Sequence, residues 1–183
     1  MNKLLLLLLV SCASVSTPEK EIPSKVIEVL KPETEIIVDA VNVTKFTGFY
    51  DSEIAKAKKY IPKMNETIAS KCFEDFMVNR KLIKTNGLSR IEVVNKLRTS
   101  RVDIELITYY KRFSKVAGYT YPGVNKIWLH RKYHKGASLC SEASNLFHET
   151  SHKFGFGHSY KSNHNRQYSV PYSINAAFKY CCK

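Results

Sequence analysis

Eleven consecutive residues, His148-Glu149-Thr150-Ser151-His152-Lys153-Phe154-Gly155-Phe156-Gly157-His158, restrict the fold of this chain more than any other stretch. Residues four apart project from one face of a helix, so His148 and His152 converge only if the stretch is helical. Glu149 then lies beside them. Gly155 falls where the helix has to stop if His158 is to fold back, and glycine takes the left-handed conformation of a helix terminus without a Cβ clash. Three imidazoles meeting in this way supply three ligands to a metal. The fourth tetrahedral position is left open, which separates a catalytic zinc site from a closed structural one. Next to the ligands, the Glu149 carboxylate stands where it can take a proton from water. A surface helix with merely solvated side chains would need the extra glycine and third histidine to fall at these offsets by coincidence.

The string matches HExxHxxGxxH, and in it the chain resembles the metzincin zinc peptidases. The resemblance implies that His148, His152 and His158 bind Zn2+, that Glu149 is the general base, and that Gly155 makes the turn between two subdomains. It also implies an α+β fold: a compact metzincin-like zincin whose mixed β-sheet packs with helices, with a small C-terminal subdomain and the junction near residue 155. One departure stands out. Ser169-Val170-Pro171-Tyr172-Ser173-Ile174 occupies the place of the family's methionine turn, yet no methionine follows Met77. Val170 or Pro171 is then the apolar floor. If Val170 matches the methionine, Tyr172 falls where astacin-like and serralysin-like members carry a tyrosine near the metal. That placement implies a catalytic hydrogen bond to the developing oxyanion, the other role for Tyr172 being packing against the C-terminal tail.

The first residues are of another kind. Met1-Asn2-Lys3 and the apolar run 4–10 read as the n- and h-regions of a signal peptide, too short for a permanent membrane span. Leu9-Val10-Ser11-Cys12 resembles the lipobox of bacterial lipoproteins, which implies cleavage after residue 11 and a lipid on Cys12; ordinary secretion with cleavage near Ser11 or Ala13 is the alternative. Residues 12–25 form the anchor and a polar tether, and 26–183 the folded domain. The expected location is the bacterial cell envelope, with Ala13 after the anchor favouring the outer membrane.

In an exported domain, Cys72, Cys140, Cys181 and Cys182 point to disulfides. Adjacent Cys181 and Cys182 are poor partners for each other, so one is expected to join Cys72 and the other Cys140. The 29 basic and 16 acidic residues leave a net charge of +13, which favours anionic envelope components as partners. No module for specific nucleic-acid recognition is legible. A monomer is the default.

Along the chain, the first domain strand is expected within 26–38, in two short β-rich runs. Asp51 caps a helix that Pro62 interrupts or ends, and a second helical pattern runs from about Glu66 to Leu82. Asn86-Gly87 is a turn, and Ser89 with Glu92 a capping box. Strands follow over 102–110 and 116–121, then Tyr121-Pro122-Gly123 turns the chain into a third strand from Ile127 to His134 with a charged end. By analogy with metzincins, the run from Ile127 to Tyr133 is the candidate sheet edge for extended substrate. His130 and His134 are expected at the surface rather than as ligands. The active helix begins at Ser141 and Glu142, with Ala143, Leu146, Phe147 and Thr150 seating its other face.

Together these features imply a lipid-anchored zinc endopeptidase acting on extended peptide or protein substrates. Two alternatives remain: a cell-wall peptide amidase or peptidase using the same metal, and a non-catalytic surface binding protein that keeps the fold.

Overall fold

Alternation of apolar and polar residues builds the sheet, and two of its four strands owe their place to partners far away in sequence. The structure, a computed structural model, describes residues 38–158 and 164–183. The signal segment, Cys12, the tether and the run at 26–30 lie outside the described residues, as do residues 35–37 of the second run. The strands are β1 (Val41–Thr47), β2 (Val102–Tyr109), β3 (Gly118–Thr120) and β4 (Lys126–His130), in the spatial order β1-β2-β4-β3. β1, β2 and β4 run parallel, and β3 lies antiparallel on β4. The fold is therefore α+β with a small mixed sheet packed by helices. The first strand described lies beyond the expected region, at Val41–Thr47. Lys45 and two threonines hide it in the sequence, and its pairing with β2 is what makes it a strand.

The helices are α1 (Asp51–Ala69), α2 (Lys71–Asn79), α3 (Arg90–Thr99), α4 (Arg131–Lys135), α5 (Leu139–Lys153) and α6 (Val170–Cys181), with a 3-10 turn over His164–Tyr168. Tyr50, not Asp51, is the N-cap of α1. Pro62 neither interrupts nor ends that helix. It sits on the exposed side, while Tyr60, Met64 and Ile68 are fully buried, so packing outweighs the lost backbone hydrogen bond. The break comes at Ser70, which closes α1 and caps α2 by accepting a hydrogen bond from the Phe73 amide at 3.2 Å. The expected Glu66 to Leu82 helix is thus divided between α1 and α2, and α2 stops at Asn79. The capping box of Ser89 and Glu92 forms as expected. Asn86 and Gly87 both take positive φ (58° and 81°), and the Leu88 amide donates to the Thr85 carbonyl across the turn.

One core joins these layers. Ile104, Leu106, Ile127 and Leu129 from the sheet meet Tyr60 and Met64 of α1, Leu146 and Phe147 of α5, and Ile174 and Phe178 of α6. Each such side chain contributes about 1.5–3 kcal/mol when fully buried. Cystines Cys72–Cys181 and Cys140–Cys182 fasten the end of α6 to α2 and to the first turn of α5, as expected. Each stabilises by about 2–4 kcal/mol, mainly by restricting the unfolded chain. The helix that carries the histidines is thereby braced at its N-terminus.

Three expectations about the stretch from Ile127 to His134 are corrected. It is a strand only as far as His130; residues 131–135 wind into α4, with the His130 side chain accepting from the Lys132 amide as N-cap. β4 lies between β2 and β3, so it is no edge; near the histidines the edge is β3. His130 and His134 are buried, at 1% and 3% exposure, and not on the surface. His130 Nε2 lies 2.9 Å from the Lys111 carbonyl, and His134 Nδ1 lies 2.5 Å from Glu142 Oε2, so polar partners hold both rings inside.

Candidate metal centre

α5 begins at Leu139, two residues before the expected start, and Ser138 is its N-cap, with its hydroxyl accepting from the Ser141 amide. Ala143, Leu146, Phe147 and Thr150 are buried as expected and seat the helix on the core. Its other end is where the sequence string takes effect. The Phe154 cap is followed by Gly155 at φ +92°, with the Gly155 amide donating to the His152 carbonyl and the Phe156 amide to that of Ser151. This pair of bonds is the Schellman arrangement, and it needs the left-handed residue that glycine supplies. Asn86, from the turn ahead of α3, donates to the Gly155 carbonyl at 2.8 Å and pins the turn from outside.

The reversal brings the three histidines together. One ligating atom from each of His148, His152 and His158 lies within 4.8 Å of the others. Ring rotations of modest size bring such a set to the spacing of about 3.4 Å that a tetrahedral zinc with Zn–N near 2.0–2.1 Å requires. The Phe156 carbonyl, turned back by the Schellman bend, lies 2.7 Å from His152 Nδ1. Nδ1 donates there, which leaves the Nε2 lone pair free to ligate. Burial, joined by His152 and His158, pushes His148 down to about 3, while the Pro171 carbonyl and Asn175 oppose. Among the described residues, no hydrogen bond of ordinary geometry reaches His148 Nδ1. His152 is also lowered, chiefly by burial, against the opposing Phe156 carbonyl. Neutral imidazoles are what a divalent cation needs, so the donor set fits the metal that the string implies.

Glu149 is 6% exposed, and burial raises its carboxyl to about 7, with Lys153 opposing. Lys153 is itself committed to the Tyr121 carbonyl at 2.7 Å and to that of Val124. Tyr172, in the first turn of α6, sets its ring edge-on to His148 and His158, with centroids 5.0 and 5.1 Å away. Its place is thus at the histidines, and the Arg166 guanidinium lies over its ring, 4.7 Å from the centroid. Val170 and Pro171 are buried in the first turn of α6.

These groups open onto a cleft of ≈770 Å³ whose opposite wall is β3 and the segments flanking it. Gly118 permits this close approach: a Cβ there would meet Glu149 Cγ and the Trp128 carbonyl at 3.2 Å and Asn145 Nδ2 at 3.3 Å. Gly118, Asn145, Asn175 and Arg166 were missed in the sequence. Asn145 precedes His148 by three residues, a spacing that puts both on one helical face and could have revealed it. Asn175 and Gly118 carry no local signal, since only the packing of α6 and β3 brings them to the cleft. No known protein family, curated protein or solved structure matches the chain.

Proposed function

We propose that the protein is a zinc-dependent endopeptidase of metzincin type that cuts extended polypeptide. The observation that carries this reading is the convergence of three imidazoles, two of them held in the neutral form, beside a buried carboxylate facing an unpaired strand edge. Among the described residues β3 pairs only with β4, so its outer backbone groups are available to a peptide running along the cleft. His148, His152 and His158 would hold the ion. When bound, zinc supplies Lewis acidity that polarises a peptide carbonyl and acidifies water. The Glu149 carboxylate oxygen takes the proton of the attacking water as the new C–O bond forms. It then delivers that proton to the amide nitrogen as the C–N bond breaks. Tyr172, whose ring packs edge-on against His148 and His158, would donate to the oxyanion that develops on the carbonyl oxygen.

The two cystines support export to an oxidising compartment, and the sequence features at Cys12 support a lipid anchor in the bacterial envelope. Among the described residues, no helix is long and apolar enough to cross a membrane. The test is cleavage of a denatured-protein mixture by the zinc-loaded protein alongside Glu149→Ala at equal zinc content. Loss of hydrolysis by a factor of about 10²–10⁴ with zinc retained is the expected result. Equal hydrolysis by both proteins would remove the basis of the mechanism.

A further inference from the structure

We infer that the cleft selects acidic polypeptide, with substrate carboxylates lying near the bond to be cut; this rests on the peptidase reading above. Charge is segregated along the chain. Of the 16 acidic residues, only Glu142 and Glu149 lie beyond Glu105. Both are buried, at 3% and 6% exposure. β3, β4, α5 and α6 all fall in this part of the chain, so the elements that build the cleft carry no exposed acidic side chain. Lys111, Arg112, Lys115, Lys132 and Lys135 are exposed on the same half.

The cations sit where a bound peptide would meet them. Lys115 and Arg166 line the cleft, and among the described residues Glu149 is the only carboxylate in its walls. Lys111, Arg112 and Lys115 ride on the connection from β2 to β3, directly ahead of the free strand edge. Two hydrogen bonds hold that connection in place: Tyr109 Oη donates to the Val116 carbonyl and Tyr133 Oη to the Ser114 carbonyl, each at 2.9 Å. Backbone pairing on β3 carries no sequence information, so the charge of the rim decides which side chains are welcome. A concave site lined by one sign of charge concentrates ligands of the opposite sign, and like-charged ligands are repelled at close range. An anionic lipid surface shares this chemistry, but Lys115 and Arg166 line a concavity that a flat bilayer cannot enter. The geometry therefore favours a peptide chain.

Binding and cleavage are measured separately. The full-length zinc-loaded Glu149→Gln protein is titrated into fluorescent peptides of equal length that are rich in Glu, Gln or Lys, and anisotropy is recorded at low and high salt. The Glu-rich peptide is expected to bind roughly tenfold tighter than the Gln-rich one and the Lys-rich one weakest, with the preference shrinking as salt screens it. Lys115→Glu, and separately Lys115→Gln with Arg112→Gln, should each erase most of that preference without a change in Tm, since both side chains are exposed. Equal affinity for all three peptides would overturn the proposal, as would tight binding to phosphatidylglycerol vesicles with no discrimination among peptides. Wild-type protein that cuts Gln-rich and Glu-rich peptides equally well would refute the charge preference and leave the peptidase reading standing. Selective binding of the Glu-rich peptide with no hydrolysis would do the reverse.

Discussion

α5 carries two buried glutamates seven residues apart, each beside a buried histidine, and the two pairs have opposite fates. Glu142 is fully answered: His134 Nδ1 lies 2.5 Å from one oxygen and Lys56 Nζ 3.3 Å from the other. Lys56 also donates to the carbonyls of His134 and Ala137, at 2.8 and 2.7 Å, and the His134 ring sits edge-on to Phe49 and Tyr60. Glu149 is buried to a similar degree, but its nearest cation is tied to carbonyls elsewhere, so burial raises its carboxyl to about 7. Residue type, helix and burial are shared. What differs is whether the charge has a partner, and that separates a structural lock from a group available for proton transfer.

The largest test of this contrast is metal content. His148→Ala should reduce bound zinc from one per chain to near zero by elemental analysis, since a three-ligand site loses a ligand. His134→Ala should leave it at one while lowering stability by about 3 kcal/mol, the cost of stranding a buried charge. Equal loss of zinc in both variants would break the contrast.

The pH dependence of the metal-free protein sharpens it. His148 is depressed to about 3, so the stability tied to its neutral form is complete above its unfolded value near 6.5 and is lost as pH falls from there towards 3. Glu149 is raised to about 7, so its protonated form stabilises at low pH, and that stability is lost as pH rises from its unfolded value near 4.5 through 7. Glu149→Gln should therefore stabilise the metal-free protein by about 1–3 kcal/mol at pH 8 and by much less at pH 5. Urea titrations at the two pH values check the sign. Smallest is Gly155→Ala, which forces a Cβ into φ +92° and should cost about 1–2 kcal/mol while weakening zinc binding through the displaced His158. An unchanged zinc affinity would show that the turn does not set the third histidine.

Legibility from sequence followed the range of the interactions. The helix and turn of the histidine string, the Ser89 capping box, the Asn86-Gly87 turn and the cysteine pairing all rest on local spacing or on counting, and all were readable. β1 was not, because Lys45 and its threonines spoil the alternation and β2 supplies the pairing. Pro62 misled because local propensity yielded to the burial of Tyr60, Met64 and Ile68. The placement of β3 at the edge and β4 inside it, with His134 folded under α5, depends on contacts across tens of residues. At the candidate site the four residues of the string and Tyr172 were legible and Asn145 had a spacing signal, whereas Gly118 and Asn175 became visible only when strand and helices were packed.

The most direct measurement compares Glu149→Gln with Glu142→Gln at one zinc per chain, taking kcat/KM on a peptide substrate and Tm from the same preparations. Glu149→Gln should lose kcat/KM by at least about a hundredfold with Tm held or raised. Glu142→Gln should lower Tm by several degrees with kcat/KM of the folded fraction nearly unchanged. The reverse pattern, with hydrolysis depending on Glu142 and stability on Glu149, would contradict the assignment of the two carboxylates.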